Sequence, residues 1–397
     1  MCMEIGIVGK PNVGKSTFFN ACTHGAAEVA NYPFTTIESN MGITYVTAPC
    51  PCREFDVVCN PKNAECIDGT RLVPTTIIDV AGLVPDAHQG KGLGNQFLDD
   101  VRRANVLVHV VDASGSTDEA GSPVKRGSHD PLDDVAFLER EIDHWFVALL
   151  SKHWDKLART VRASKKDAYH VLADHFTGIG LTEEEIHRAM RSLDLDPTRL
   201  IDWKQDDIFL FAQKVREMTR PIVIAANKVD IAPKELLDRL CEGASNVVLV
   251  SAEAELMLRK AMSAGLVHYV PGEGDFDVTG DLSAAQEHAL EKVRELMHIH
   301  GSTGVQRCIN AAIYDVLDRI VVYPVENEKK LCDTKGIVLP DAHLLRRGST
   351  PHDLARKIHS DIADNYIYAV NVRTNRRIAE DYELKSGDII KIVSAAR

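Results

Sequence analysis

Gly9, Lys10, Pro11, Asn12, Val13, Gly14, Lys15 and Ser16 read GxxxxGKS, a spacing built for phosphate chemistry. Loop amides and a following helix N-terminus present unpaired positive dipole ends to an anion. Lys15 would carry charge to the β- and γ-oxygens, and Ser16 would offer a hydroxyl to Mg2+. Gly9, Pro11, Asn12, Val13, Gly14, Lys15, Ser16 and Thr17 are therefore the expected phosphate contacts. A second group is Cys50, Cys52, Cys59 and Cys66, four thiols within seventeen residues. Four thiolates suit tetrahedral Zn2+. Their spacing, C-x-C-x6-C-x6-C, lacks the usual C-x2-C pair, so free thiols are the other reading. Either role would be structural and not catalytic.

These residues need elements to hold them. Ile5 to Val8 reads as a short buried strand, and Thr17 onward continues as a helix, which is the context a phosphate loop requires. Pro74 to Ile78, Val106 to Val111, Pro221 to Ala226 and Asn246 to Val250 are further apolar runs of strand length. Near-continuous apolar strands separated by helical stretches predict an α/β, doubly wound parallel sheet. Such sheets bind ligands at the carboxyl ends of their strands. Two of these runs deliver polar clusters there: Asp79-Val80-Ala81-Gly82 and Asn227-Lys228-Val229-Asp230.

The second cluster resembles the guanine-reading NKxD motif of GTPases. The resemblance implies that Asp230 accepts hydrogen bonds from guanine, Asn227 ties loops together and the Lys228 stem covers the base. Adenine presents the opposite donor pattern to such a carboxylate. Ser251-Ala252-Glu253 resembles the loop whose backbone contacts the same base, and Asp79 to Gly82 resembles DxxG. There Asp79 is expected to hold Mg2+ through water, and Gly82 to touch the γ-phosphate. Asn31-Tyr32-Pro33-Phe34-Thr35-Thr36 contains a switch threonine, with Thr36 favoured over Thr35 as a Mg2+ ligand. The longer stretch from Asp79 to Asn105, DVAGLVPDAHQGKGLGNQFLDDVRRAN, resembles the Obg-related GTPases, and the whole chain their YchF-like branch. That family implies GTP or GDP with Mg2+ as cofactors and slow intrinsic hydrolysis.

The slowness has a named cause. Leu83 follows the DxxG glycine where Ras-like enzymes carry a water-orienting glutamine, and leucine has no group to do this. Asn12 stands where potassium-stimulated relatives bind K+, which gives a catalytic set of Lys15, Thr36, Gly82 and Asn12. His109 and His88 are alternatives for placing the water; His109 in an apolar run reads better as a core residue.

The spacing of 148 residues from Asp79 to Asn227 exceeds that of a plain GTPase domain, implying an insertion. Expected boundaries are 1–115 with 221–320 for the GTPase domain, 116–220 for the insert and 321–397 for a C-terminal domain. In the insert, Val135, Leu138, Ile142, Trp145 and Leu149 form an a/d stripe after Asp130-Pro131, and Thr182 with its following glutamates starts another helix. This predicts a helical hairpin or short coiled coil. Leu339 to Ala355 and Asp381 to Val393 resemble a TGS domain, a β-grasp-like module, with a helix from Asp353 to Ser360. That likeness implies RNA or ribosome contact, with Arg346, Arg347, Arg356, Lys357, Arg373, Arg376 and Arg377 as phosphate partners.

The net charge of -12 argues against a protein coated uniformly for nucleic acid, and no DNA partner is expected, although Asp341 to Arg397 carries ten Lys+Arg against eight Asp+Glu. No apolar run has membrane-spanning length. Nine cysteines and no secretory leader point to a reducing cytoplasm. The expected protein is a cytoplasmic GTP-hydrolysing switch. An ATP-preferring hydrolase is one alternative; a nucleotide-gated RNA- or ribosome-binding protein with negligible turnover is the other.

Overall fold

A computed structural model describes residues 4–24, 40–62, 64–80, 100–164 and 167–395. The NYPFTT segment with Thr35 and Thr36, and Ala81, Gly82, Leu83 and His88, lie outside the described residues. The amino-terminal elements are β1 (Glu4–Val8), α1 (Lys15–Thr23), β2 (Met41–Pro49), β3 (Glu65–Ile67), β4 (Thr70–Asp79) and β5 (Val106–Asp112). Five helices follow: α2 (Pro131–Ser151), α3 (Trp154–Ser164), α4 (Ala168–Phe176), α5 (Glu183–Ser192) and α6 (Gln205–Thr219). Next come β6 (Ile222–Asn227), α7 (Lys234–Gly243), β7 (Val247–Leu249), α8 (Ala252–Ser263), β8 (Val267–His268), β9 (Asp277–Val278), α9 (Ala284–His300) and α10 (Val305–Asn310). The chain closes with β10 (Arg319–Val325), β11 (His343–Arg346), α11 (Pro351–Ile358), α12 (Ser360–Asp364), β12 (Tyr366–Asn371), β13 (Arg376–Ile378) and β14 (Ile389–Ser394). Two compact units result, divided between Lys15 and Ser16, between Ile77 and Ile78, and between Val248 and Leu249.

In the first unit β5 lies parallel between β1 and β6, pairing Val8 with His109 and Asp112 with Asn227. Every residue of β5 is buried, as a strand covered on both faces requires. Val80 N–H donates to Ile7 O at 3.1 Å, so the end of β4 sits beside β1. The parallel arrangement brings the strand ends that carry Gly9, Asp79, Asp112 and Asn227 to one edge.

The helices between β5 and β6 exceed a hairpin. Asp130 caps α2 with Pro131 in its first turn, and Thr182 with Glu185 forms a capping box on α5, as their types predict. However, α3 and α4 intervene, and the main partner of α2 is α6. Val135, Leu138 and Ile142 are buried on α2, but the stripe then moves to Phe146 and Leu150 instead of Trp145 and Leu149. A straight helix of 3.6 residues per turn drifts off a strict seven-residue repeat by about 20° per heptad, so the buried face advances by one residue.

In the second unit, β11, β10, β14, β12 and β13 form a five-stranded sheet in that order. Only the β10–β14 pair among the described registers of this sheet is parallel, as in a β-grasp module. Helix α11 starts at Pro351 behind a Thr350–Asp353 capping box and ends at Ile358, where His359 is extended; it therefore begins earlier and stops sooner than the expected Asp353 to Ser360. Leu354 on α11 packs with Ile320, Val322, Leu345, Leu384 and Ile390.

Candidate functional site

The loop after β1 is built from positive-φ residues: Gly9 (153°), Asn12 (64°) and Gly14 (93°). Gly14 is doubly constrained, because a Cβ there would stand 2.3 Å from Asn227 Nδ2. That closeness accompanies a hydrogen bond: Asn227 Nδ2 donates to Val13 O at 2.9 Å, fastening the end of β6 to the phosphate loop. Lys228 Nζ donates to Asn12 O at 3.0 Å and to Asp112 Oδ2 at 2.8 Å. Asn12 Nδ2 in turn donates to Gly121 O at 2.9 Å. Pro11 and Asn12 are exposed while Val13 is buried.

Lys15 reaches the end of β4. Its Nζ donates to Val80 O at 2.7 Å and lies 3.3 Å from Asp79 Oδ1. The first unit thus brings together Gly9 to Lys15, Asp79, Asn227 and Lys228. Asp230 follows on the same turn and is exposed. Ser16 and Thr17 continue α1 in the second unit, as do Ser251, Ala252 and Glu253 in α8. Ser251 caps α8, and its N–H donates to Thr303 O at 2.9 Å. One turn on, buried Glu255 accepts from Arg259 at 2.7 Å, from Tyr269 at 2.9 Å and from the Thr303 hydroxyl, fixing the start of that helix.

Two acids escaped the sequence reading. Asp112, at the carboxyl end of β5, accepts from Ser114 N–H at 3.1 Å, from the Ser114, Ser116 and Thr117 hydroxyls, and from Lys228. Burial acts to raise its pKa, but bonds from Lys228, Ser114 and Ser116 hold it below the usual carboxylate value. The acid thereby anchors the lysine of NKxD; its place at a strand end before Ser-Gly-Ser was the available signal. The other is Asp134 in the first turn of α2. Lys10 of the phosphate loop is buried with Nζ 2.8 Å from Asp134 and 3.1 Å from Thr117 O, and His129 Nε2 lies 2.8 Å from the same carboxylate. No local pattern announces a contact across 124 residues.

His109 is a core residue. Burial foremost, and Lys10 second, push its pKa down to about 3, and its Nδ1 has no partner among the described residues. Its ordinary value is 6.5, so on acidification the unfolded chain takes the proton first. The stability it permits is intact above pH 6.5 and falls as the pH drops toward 3. His109→Leu should remove about 2 kcal/mol of the stability lost between pH 7 and 5. Urea unfolding at the two pH values reads this, and identical losses in both proteins would mean that the histidine titrates normally.

In the second unit several C-terminal cations already have partners. Arg373 pairs with Glu54 and donates to Gly387 O at 3.1 Å, Arg347 pairs with Asp318 at 2.5 Å, and Arg377 lies over the Tyr368 ring at 4.1 Å. Arg346, Arg356, Lys357 and Arg376 are exposed. No helix among the described residues is long and apolar enough to cross a membrane.

A glycine loop after a buried first strand, with a strand-end lysine and asparagine clamped onto it, defines a P-loop nucleotide-binding protein of the GTPase type. Comparison with known proteins agrees. The family model "50S ribosome-binding GTPase" matches residues 4–141, "Obg-like GTPase YGR210-like, G4 motif-containing domain" matches 225–327, and "TGS domain" matches 335–394. The GTP-binding protein MJ1332 of Methanocaldococcus jannaschii is 47% identical over 398 residues, covering 99% of both chains. A solved GTP-binding protein from Pyrococcus horikoshii OT3 is 42% identical, with a TM-score of 0.80 over 99% of this chain and 100% of that one. The ribosome-binding ATPase YchF of Haemophilus influenzae is 34% identical over 237 residues, 55% of this chain and 62% of its own length. The chain belongs to the Obg-like P-loop GTPases, in the YchF-like group with a C-terminal TGS domain.

Proposed function

We propose that this protein is a GTP-driven switch that binds and slowly hydrolyses GTP and signals to the ribosome or its RNA in the cytoplasm. The observation that carries the reading is the placement of Lys15 at Asp79 and Val80 O, beside a loop that Asn227 and Lys228 hold in shape. By the sequence pattern of the family, Ser16, Thr36 and Asp79 would supply hard oxygen donors to Mg2+. When bound, the ion neutralises charge across the β- and γ-phosphates. Lys15 would orient the same oxygens, and the N–H groups of the Gly9 to Gly14 loop would face the phosphates. Asn12 spends its Nδ2 on Gly121, leaving Oδ1 to take K+. Leu83 cannot orient water, which favours activation by K+ or by the partner. Exposed Arg346, Arg356, Lys357 and Arg376 are the phosphate contacts of the TGS domain, and the inserted helices offer a second surface.

Base selection is where relatives divide, since some bear the name ATPase and others GTP-binding protein. The intact carboxylate of Asp230 supports guanine. Fluorescent GDP, competed by GTP and by ATP with Mg2+, tests this in wild type and Asp230→Ala. GTP should compete at least about tenfold better than ATP, and the substitution should erase the preference. Equal competition in the wild type would reassign the protein as an ATP hydrolase. Turnover that neither K+ nor ribosomes raise would favour the second reading, a nucleotide-gated binding protein.

A further inference from the structure

Four sulfurs converge within the second unit. Cys50 and Cys52 follow β2, Cys59 lies in the next loop and Cys66 on β3. Their Sγ atoms all lie within 4.8 Å of one another, with Cys50–Cys59 at 3.9 Å and Cys52–Cys66 at 3.8 Å. A disulfide would need about 2.05 Å. Thiolates about 2.3 Å from a tetrahedral Zn2+ stand about 3.8 Å apart, the edge of that tetrahedron. The chain reaches this geometry through a turn. Asp68 (φ 47°) and Gly69 (φ 76°) are both left-handed, the two-residue link that matches hairpin twist, and they set Cys66 opposite Arg71.

Arg71 supplies a second, independent observation. It is wholly buried, and its hydrogen bonds among the described residues go to Leu339 O at 3.1 Å and Cys50 Sγ at 3.3 Å, with the Tyr323 ring 5.6 Å away. None of these is a carboxylate, yet a buried guanidinium needs a counter-charge. A Zn2+ with four thiolates carries a net double negative charge and provides one.

We infer that Cys50, Cys52, Cys59 and Cys66 bind one structural Zn2+, which with Arg71 fastens the 50–62 loop to residues 338–340 ahead of β11. The seam is already laid in backbone: Asn60 N–H donates to Val338 O at 3.0 Å and Lys62 N–H to Pro340 O at 2.9 Å, while Lys62 Nζ meets Asp333 at 2.5 Å. All four positions are filled by sulfur, so the site is closed to substrate. Binding releases the thiol protons to solvent and involves no redox step.

Elemental analysis of the full-length protein, purified under reducing conditions without chelator, should find about one zinc per chain. Substitution with Co2+ should give sulfur-to-metal charge-transfer absorption and the visible bands of a tetrahedral site. Cys59→Ser and Cys66→Ser should each lose the metal, whereas Cys241→Ser, outside the cluster, should keep it. Arg71→Met should weaken Zn2+ binding roughly 10–100-fold. Hydrogen exchange at Asn60 and Lys62 should quicken when the metal is chelated. Full-length protein that takes up no stoichiometric Zn2+ with these thiols reduced would overturn the site. Metal loss without faster exchange at those two amides would overturn the fastening.

Discussion

Lys15→Met will lower GTP turnover by roughly 10²–10³-fold, the largest functional loss expected from one side chain in this site. The ammonium already stands at the end of β4, 2.7 Å from Val80 O and 3.3 Å from Asp79 Oδ1. Methionine keeps the length of the stem and deletes the charge and its donors. Single-turnover hydrolysis with Mg2+ reads the chemical step, while nucleotide titration reads binding. Lys15→Arg should rescue little, because a planar guanidinium does not occupy a point-charge position. Thermal unfolding separates lost chemistry from lost fold. A folded variant within about threefold of wild type would leave Lys15 as no more than a partner of Asp79.

Asp143→Ala will cost about 3–5 kcal/mol of stability, although the residue lies far along the chain from any nucleotide motif. Its Oδ1 accepts from Arg216 Nε at 2.8 Å, joining α2 to α6, and the side chains are only 6% and 7% exposed. Such a pair gains little over an apolar pair, because desolvation consumes the attraction. Removing one member is different: Arg216 would keep its charge in a buried place without an anion. Urea unfolding of the single variant and of Asp143→Leu with Arg216→Met tells these apart. The double variant should recover most of the loss, whereas equal losses would assign the effect to a packing defect.

Much of this molecule was legible because its local chemistry agrees with its fold. Buried parallel strands leave apolar runs, so β5 and β6 could be read almost to the residue. Asp130 and Thr182 announce helix starts through the hydrogen bonds their side chains make at a first turn. What stayed hidden depends on partners distant in sequence. Asp112 reads as an ordinary strand-end acid until Lys228 arrives from 116 residues away. The four cysteines were visible as a cluster, but not the hairpin that sets Cys66 opposite Arg71, whose guanidinium reaches Cys50 Sγ. On α2 the heptad template failed at Phe146 and Leu150 for a geometric reason, since a helix that is not supercoiled cannot hold that repeat.

The bond between Lys10 and Asp134 gives the inserted helices a mechanical meaning. Lys10 belongs to the loop that would grip phosphate, and Asp134 lies in the first turn of a helix of 21 residues. At 1.5 Å per residue that helix is about 31 Å long, a rod held at its base by the phosphate loop. A tilt of about 5° at the base carries the far end through about 3 Å, the scale on which a side chain gains or loses a contact. A small adjustment of the phosphate loop would thereby be lengthened into travel at the far end of that helix.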